Sequence, residues 1–463
     1  MSRLKLSSID SLVFTCLILS LPLFFYKLGQ SSLVSWDEAW YADISQNILI
    51  RGDLFNLVFN SRPFVDQPPG GFWMTATTFN IFGLTEFSAR LSSAVLGFLS
   101  LYVLYLLGRK LFNRWVGFAS SIALCSSFWF LNRARSGNLD IPLTFFFLLT
   151  LYLGLLASKN RNFFIPFSAS LAFLYIVKSL LPFAILPALL IIFWKNKIYK
   201  LKDYLIPALF VFAFYGIWLI LQLINDVSLV QRHLFHSTRG ASLGNDFLNS
   251  LRLFKTYLHN GIGKWFWPGM LGIVMGLSFI KEKRFLLLLV FFFSYATPFV
   301  FSQQLHIWHL IPLHPIVILL FFGGSFNLGT KLFNLLKIKA SSLLLGSLLM
   351  AFSLYFAYLQ IKTSWYQFID IPAFVSDEAI LSREASKYPG KIYIDGDFDP
   401  AATFYSRKEV EKIKKEQLKQ VIDQDKQFLV ITNTWRLEVE KIDPQIYEIL
   451  KQDRDKVLVR NIN

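Results

Sequence analysis

Long apolar runs separated by short polar connections fill the first three quarters of the chain. A hydrocarbon layer about 30 Å thick takes about 17–25 apolar residues per helix. Runs of that kind fall near 12–28, 88–107, 115–131, 140–157, 163–177, 179–194, 204–224, 265–280, 285–302, 307–327 and 341–361. The fifth and sixth are short and meet at VKSLLP; taken as one span, they would reverse the side of every later connection. The pattern predicts an all-α polytopic membrane domain over 1–361, with about eleven transmembrane helices and a first outer loop at 29–87. LVFTCLILSLPLFFY, in the first run, is similar to a signal-peptide core, but no small-residue cleavage site follows it, so an uncleaved anchor is expected. After Lys362 the pattern changes. KIYIDGDFDP and QFLVIT read as short buried strands and RKEVEKIKKEQLKQVIDQ as a charged amphipathic helix, which predicts a small soluble α/β domain over 362–463.

Charge gives the pattern a direction. Arg3 and Lys5 precede the first run, and alternate connections carry GRKLFNR, SKNRN, KNKIYKLK, KEKR and KLFNLLKIK. Short basic loops stay in the cytoplasm. They share one side only if VKSLLP is a hairpin turn, which puts the N-terminus inside and the C-terminal domain outside. The chain has 463 residues, 54% hydrophobic and 16% charged, more apolar than a soluble core can hide. The net charge of +16 lies in the membrane part, because the tail is near balance. It therefore reads as orientation, and not as a nucleic-acid surface. Cys16 and Cys125 fall inside apolar runs and form no disulfide or metal framework.

The outer connections have a different character. The first holds Asp37, Glu38, Arg62 and QPPGGFW, with the acidic pair between Trp36 and Trp40. The next two hold NRARSGNLD and the Lys178 turn, and the last holds SQQLH. Carboxylates and guanidinium groups at a membrane boundary are expensive unless hydrated or paired, so their gathering on one side marks a candidate site. Asp37 also suits a plain structural role, as the cap of an interfacial helix flanked by tryptophans. His306 and His309 have helical spacing, but no acid nearby completes a metal set, so hydrogen bonding is expected there and no metal. DGDFDP is close to a calcium loop, yet Pro400 stands where the turn glycine belongs and Ser406 where the bidentate glutamate belongs; a strand-ending turn is expected. There is no GxGxxG and no P-loop, hence no sign of a nucleotide-sugar site or cofactor.

Taken in order, WDEAWYADISQNILIRGDLF, PPGGFW, TEFSARLSSAV, ARSGNLDIPLTFF, Lys178, FSQQLHIWHLIPLHP and an outer α/β tail resemble glycosyltransferase family 39. That family contains protein O-mannosyltransferases and lipid A aminoarabinose transferases, and the bacterial branch is the more similar. The resemblance implies a GT-C type fold in the plasma membrane and a sugar donor carried on polyprenyl phosphate. The acceptor, a lipid, glycan or protein on the outer face, is left open. It also implies a metal-independent single displacement with inversion. Asp37 matches the family's first-loop aspartate and would act as base toward the acceptor, with Glu38 orienting the acceptor or supporting Asp37; Trp36, Trp40 and Tyr41 would line the site. The leaving phosphate needs cations. The aminoarabinose branch places Arg after the Asp-Glu pair and Lys before the double proline, whereas this chain has Trp40 and Gln67 there. Arg62, Arg90, Arg133, Arg135 and Lys178 are the available substitutes, with Arg135 preferred because Asp140 follows it at a helix mouth; Gln67, His306 and His309 complete the donor set. A transporter or flippase of lipid-linked glycans is the rival class, although no internal repeat supports it.

Reporter fusions test the topology. Fusions within 195–202 and after 362 are expected to give opposite readouts, cytoplasmic and external, and matching readouts would remove the VKSLLP hairpin.

Overall fold

The computed structural model describes residues 8–194, 198–238, 247–302, 305–337, 342–395, 400–414, 417–422 and 428–462. The described chain divides into two compact units. One comprises 1–27, 65–71 and 93–371, and the other comprises 28–64, 72–92 and 372–463. The expected boundary at Lys362 thus becomes a different partition, because most of the first outer loop folds with the C-terminal tail.

The first unit is helical. Among the described residues of the chain, six helices are long and apolar enough to cross a membrane: Glu86–Leu111, Asp140–Ala157, Leu201–Asn225, Lys283–Val300, Ile307–Leu335 and Ser342–Ile369. Arg114–Ser126 and Phe128–Ala134 qualify together but bend by 69°. The bend falls at Ser127, which is extended (φ −61°, ψ 123°) and whose hydroxyl meets His314 Nδ1 at 2.9 Å. The other expected spans are helical but short: Val13–Phe25, Arg161–Val177, Leu181–Phe193 and Phe266–Ser278. At a rise of about 1.5 Å per residue, the last is about 20 Å long and falls short of a bilayer core on its own. Periodicity located all eleven apolar segments, but it could not tell a full span from a shorter helix. The break expected at VKSLLP is present: the helix Phe164–Val177 ends at Lys178, which is extended (φ −148°, ψ 149°), and a 3₁₀ turn resumes at Leu181.

QPPGG packs tightly within this unit. A Cβ on Gly70 would lie 2.7 Å from the Ile176 carbonyl oxygen, and one on Gly71 would collide with the Leu139 side chain. Only glycine lets this segment approach the residues just before Lys178 and Asp140 so closely.

The second unit contains a small hairpin, β1 (Val58–Phe59) with β2 (Arg62–Pro63), and a five-stranded sheet. The sheet strands are β3 (Lys391–Ile394), β4 (Val410–Lys412), β5 (Phe428–Asn433), β6 (Tyr447–Asp453) and β7 (Lys456–Asn461), in the spatial order β4-β3-β5-β7-β6. β3 runs parallel to β4 and β5, while β7 is antiparallel to β5 and β6. Alternation along β5 fills both faces: Phe428 and Val430 join one core, Leu429 and Ile431 the other. The expected strands near 391 and 428 are therefore found. The long helix expected over 407–424 is not. Val410 is buried and pairs with Ile392, so sheet pairing overrides helical propensity there, and among the described residues of that stretch the α-helix is Leu418–Ile422. Four residues of the calcium-like DGDFDP stretch, 396–399, lie outside the described residues.

A third core joins the first-loop helices to the tail: Leu33, Ala39, Ala42, Phe79 and Ala89 pack with Ala379, Ala401, Phe404 and Tyr405. Beside it Asp43, on the helix Asp37–Arg51, is 3% exposed. It accepts from Gln46 Nε2 (2.9 Å) and Asn47 Nδ2 (3.1 Å), yet burial still pushes its carboxyl up to about 6 from the ordinary 3.8. A raised acid pKa means the folded state binds this proton more tightly than the unfolded chain. The contribution of Asp43 to stability therefore falls as pH rises from about 4 to about 6, by about 3 kcal/mol in all. Thermal unfolding of wild type and Asp43→Asn across that range is expected to show this slope in wild type alone.

Candidate active site

Asp140 opens the helix Asp140–Ala157 and is 2% exposed. Its Oδ2 accepts from Arg133 Nη2 at 2.9 Å and its Oδ1 from Lys178 Nζ at 2.5 Å; both cations are themselves buried. Each arrives from a place where helix stops. Arg133 lies on the last turn of the bent helix Phe128–Ala134, and Lys178 is the break residue after Val177. Asn138 fixes the loop between them. Its Oδ1 accepts from the N–H groups of Asp140 (2.9 Å) and Ile141 (3.1 Å), and its Nδ2 donates to the carbonyls of Arg133 and Ser136. Asn138 was missed in the sequence, although an asparagine two residues before an apolar helix is a helix-start signal.

Two aromatic neighbours complete the cluster. The Arg133 guanidinium lies 5.0 Å from the Trp308 ring centroid, and His309 is close enough to interact electrostatically with Asp140, Lys178 and Arg133. His306 stacks on Trp308 with ring centroids 4.7 Å apart, and its N–H donates to His309 Nδ1 at 3.3 Å. No set of three metal-ligating side chains occurs among the described residues. Gln67 also belongs here: its Oε1 accepts from the N–H of Ser179, the residue after Lys178, at 3.2 Å. The segment that lacks the expected lysine is thus fastened beside a lysine that comes from elsewhere in the chain.

The preferred pairing of Arg135 with Asp140 gives way to Arg133 and Lys178. Arg135 instead donates to the carbonyls of Leu23 (3.0 Å) and Tyr26 (2.7 Å), around the end of the helix Leu21–Phe25. It satisfies carbonyls that the helix leaves without partners.

The other unit holds the acidic pair, and its two members differ. Glu38 is 4% exposed and bound bidentately by Arg90, Nε to Oε1 at 2.7 Å and Nη2 to Oε2 at 2.9 Å. Arg90 also donates to the carbonyls of Leu28, Ser31 and Ser32, which engages all of its N–H donors. Arg90 therefore has no donor left for a phosphate, which corrects that expectation, and of the two roles expected for Glu38 its pairing with Arg90 fits support of Asp37. What the pair does is fix the first turn of the helix on which Asp37, the more exposed of the two acids, is the first residue. Trp40 packs on Phe59 and Phe64, each with centroids 5.5 Å apart, and Tyr41 on Phe72 at 5.3 Å, while Trp36 is exposed. Arg62 lies exposed on β2.

Residues 66–220 match the family model described as dolichyl-phosphate-mannose-protein mannosyltransferase. An uncharacterized protein of Aquifex aeolicus is 30% identical over 213 residues, which is 44% of this chain and 42% of that protein. An undecaprenyl phosphate-alpha-4-amino-4-deoxy-L-arabinose arabinosyl transferase of Pseudomonas fluorescens is 33% identical over 141 residues, 30% of this chain and 25% of that protein. The chain thus spans less than half the length of the curated relatives it matches. Among solved structures, ArnT from Cupriavidus metallidurans bound to undecaprenyl phosphate superposes with a TM-score of 0.75 at 14% identity, over 98% of this chain and 99% of that one. The chain has the fold of that ArnT structure. An Archaeoglobus fulgidus oligosaccharyltransferase in the apo form is a more distant likeness, with a TM-score of 0.60 at 13% identity over 94% of this chain and 70% of that one. The resemblance to glycosyltransferase family 39 read from the motifs stands. In this chain the matched region includes Gln67, Arg133, Asp140 and Lys178.

The buried cluster makes a stability prediction. Asp140→Asn leaves two buried cations facing a neutral amide and is expected to destabilise the protein by about 3–5 kcal/mol. Adding Lys178→Met should recover part of that loss in thermal unfolding, and an unaltered melting temperature in the single variant would show that Asp140 does not hold the cations.

Proposed function

We propose that this chain is a membrane glycosyltransferase that moves one sugar from a polyprenyl-phosphate carrier to an acceptor at the outer face of the plasma membrane. The observation that carries the reading is a pair of buried cations of different shape, Arg133 and Lys178, brought together at the buried carboxylate Asp140. Buried cations held side by side on rigid backbone are well placed to receive an anion, because they are already desolvated and oriented. The phosphate of the donor is such an anion, and its charge grows as the glycosidic bond breaks, so the same cations bind the donor and stabilise the leaving group. Arg133 offers a planar fork and Lys178 a compact ammonium, with His309 able to donate a hydrogen bond. Lys178, fastened next to Gln67, takes the part that the family gives to the lysine before the double proline. The undecaprenyl phosphate in the ArnT structure is an anion of the same class.

Asp37 is the carboxylate proposed to take the acceptor's proton. A single displacement, in which a carboxylate takes the acceptor's proton as the phosphate leaves, inverts the anomeric centre. The alternating basic loops support a cytoplasmic N-terminus and an external tail.

Purified Asp37→Asn is expected to fold and to retain donor binding while losing about 10²–10⁴ in the transfer rate. The assay follows sugar released from a polyprenyl-phosphate donor in the presence of envelope glycolipid acceptors, with the product's anomeric configuration read by NMR. Near-normal turnover in Asp37→Asn, or a retained configuration, would overturn the base and the displacement respectively.

A further inference from the structure

A second cavity lies wholly within the unit that contains the first-loop helices and the tail. It encloses about 600 Å³, and its lining includes Gln46, Glu86, Arg383, Tyr405, Arg407 and Lys408. Three cations oppose one carboxylate, and that carboxylate is already engaged: Glu86 accepts from Tyr405 Oη at 2.9 Å and is ion-paired with Arg383. Arg383 in turn lies over the Tyr405 ring, 4.5 Å from its centroid, and Lys408 donates to the Tyr388 carbonyl. Arg407 has neither an ion pair nor a side-chain hydrogen bond among the described residues.

Two residues bear on what this cavity could hold: Arg407, which closes the preceding helix by donating its N–H to the Thr403 carbonyl at 2.9 Å, and Gln46, whose amide oxygen has no evident structural use. Arg407 follows the helix Pro400–Ser406 at φ 56°, in the left-handed region where glycine is the residue without strain. A bulky cation held there is locally unfavourable, and such positions tend to occur at functional sites. Gln46 is 1% exposed, and its Nε2 donates to Asp43 Oδ1 and to the Phe404 carbonyl, which fixes the amide orientation. Its Oε1 is consequently a buried acceptor without a donor.

We infer that this cavity is a binding site for a phosphorylated saccharide, whose phosphate meets Arg407 and Lys408 and whose hydroxyls meet Gln46 Oε1 and the Glu86–Tyr405 pair. The excess cations call for an anion, and the orphaned acceptor calls for an O–H donor. Inorganic phosphate supplies only the first and a neutral sugar only the second. A volume of about 600 Å³ holds one or two sugar rings with a phosphate, as small-molecule pockets do. Its use as a seat for the acceptor's head group rests on the transferase reading; the binding itself does not.

The test is calorimetric titration of the purified full chain in detergent with glucose 6-phosphate, glucose and inorganic phosphate. The expected result is saturable binding of glucose 6-phosphate, with glucose and phosphate each at least about tenfold weaker. Arg407→Gly relieves the backbone strain while removing the guanidinium, so the fold is expected to survive, and affinity should drop about tenfold. Lys408→Met should weaken binding similarly. No saturable binding to wild type, unchanged affinity in both variants, or phosphate binding as tightly as the sugar phosphate would each overturn the proposal. Titration involves no turnover, so a failure here is distinct from a failure of transfer.

Discussion

Asp140 occupies a position that a lone carboxylate could not hold. It begins an apolar helix, almost wholly shielded from water, where an unpaired ionised group would forfeit several kcal/mol of hydration. Arg133 and Lys178 make it tenable, and the surrounding backbone is arranged to bring them there. The bent helix ends so that Arg133 can turn inward, the chain extends at Lys178, and Asn138 ties the intervening loop. Two prolines and two glycines let a further segment pack against the same breaks. These departures from regular helix in the membrane unit converge on one buried ionic cluster, in which two cations share the Asp140 carboxylate.

The other unit uses charge differently. Glu38 and Arg90 satisfy each other and the nearby carbonyls, leaving nothing for a ligand. Such a closed pair adds rigidity at best, because desolvation offsets much of the attraction. Its consequence is positional, since it holds the first turn of the helix that begins with Asp37. The adjacent acids thus differ in setting, Glu38 buried and paired and Asp37 partly exposed. The cavity around Arg407 is the opposite of the closed pair, with cations and an acceptor that the protein leaves incompletely answered.

Much of this was legible in the sequence. Apolar run lengths located the helices, the double proline and the acidic pair pointed to the fold, and the charged residues of the buried cluster, Arg133, Asp140 and Lys178, were all named as candidates. Their pairing was not legible. Arg133 and Arg135 are two residues apart and chemically identical, and only the bend at Ser127 decides which one turns toward Asp140. Lys178 meets Asp140 across 38 residues, a contact that no local spacing encodes. Arg90 was read as a free cation because its partners, the carbonyls of Leu28, Ser31 and Ser32, are backbone groups without a sequence signature. In the tail, a charged stretch with helical propensity became β4 because burial of Val410 beside β3 outweighed that propensity.

The central claim is that the cations gathered at Asp140, Arg133 and Lys178, receive the donor's phosphate. Thermal unfolding of the purified protein with and without undecaprenyl phosphate measures it without any need to know the sugar or the acceptor. A ligand present at about a hundredfold over its Kd stabilises the folded state by about 2.7 kcal/mol. The account predicts a clear rise in melting temperature for wild type and little or none for Lys178→Met. An equal rise in both proteins, or none in wild type, would contradict it.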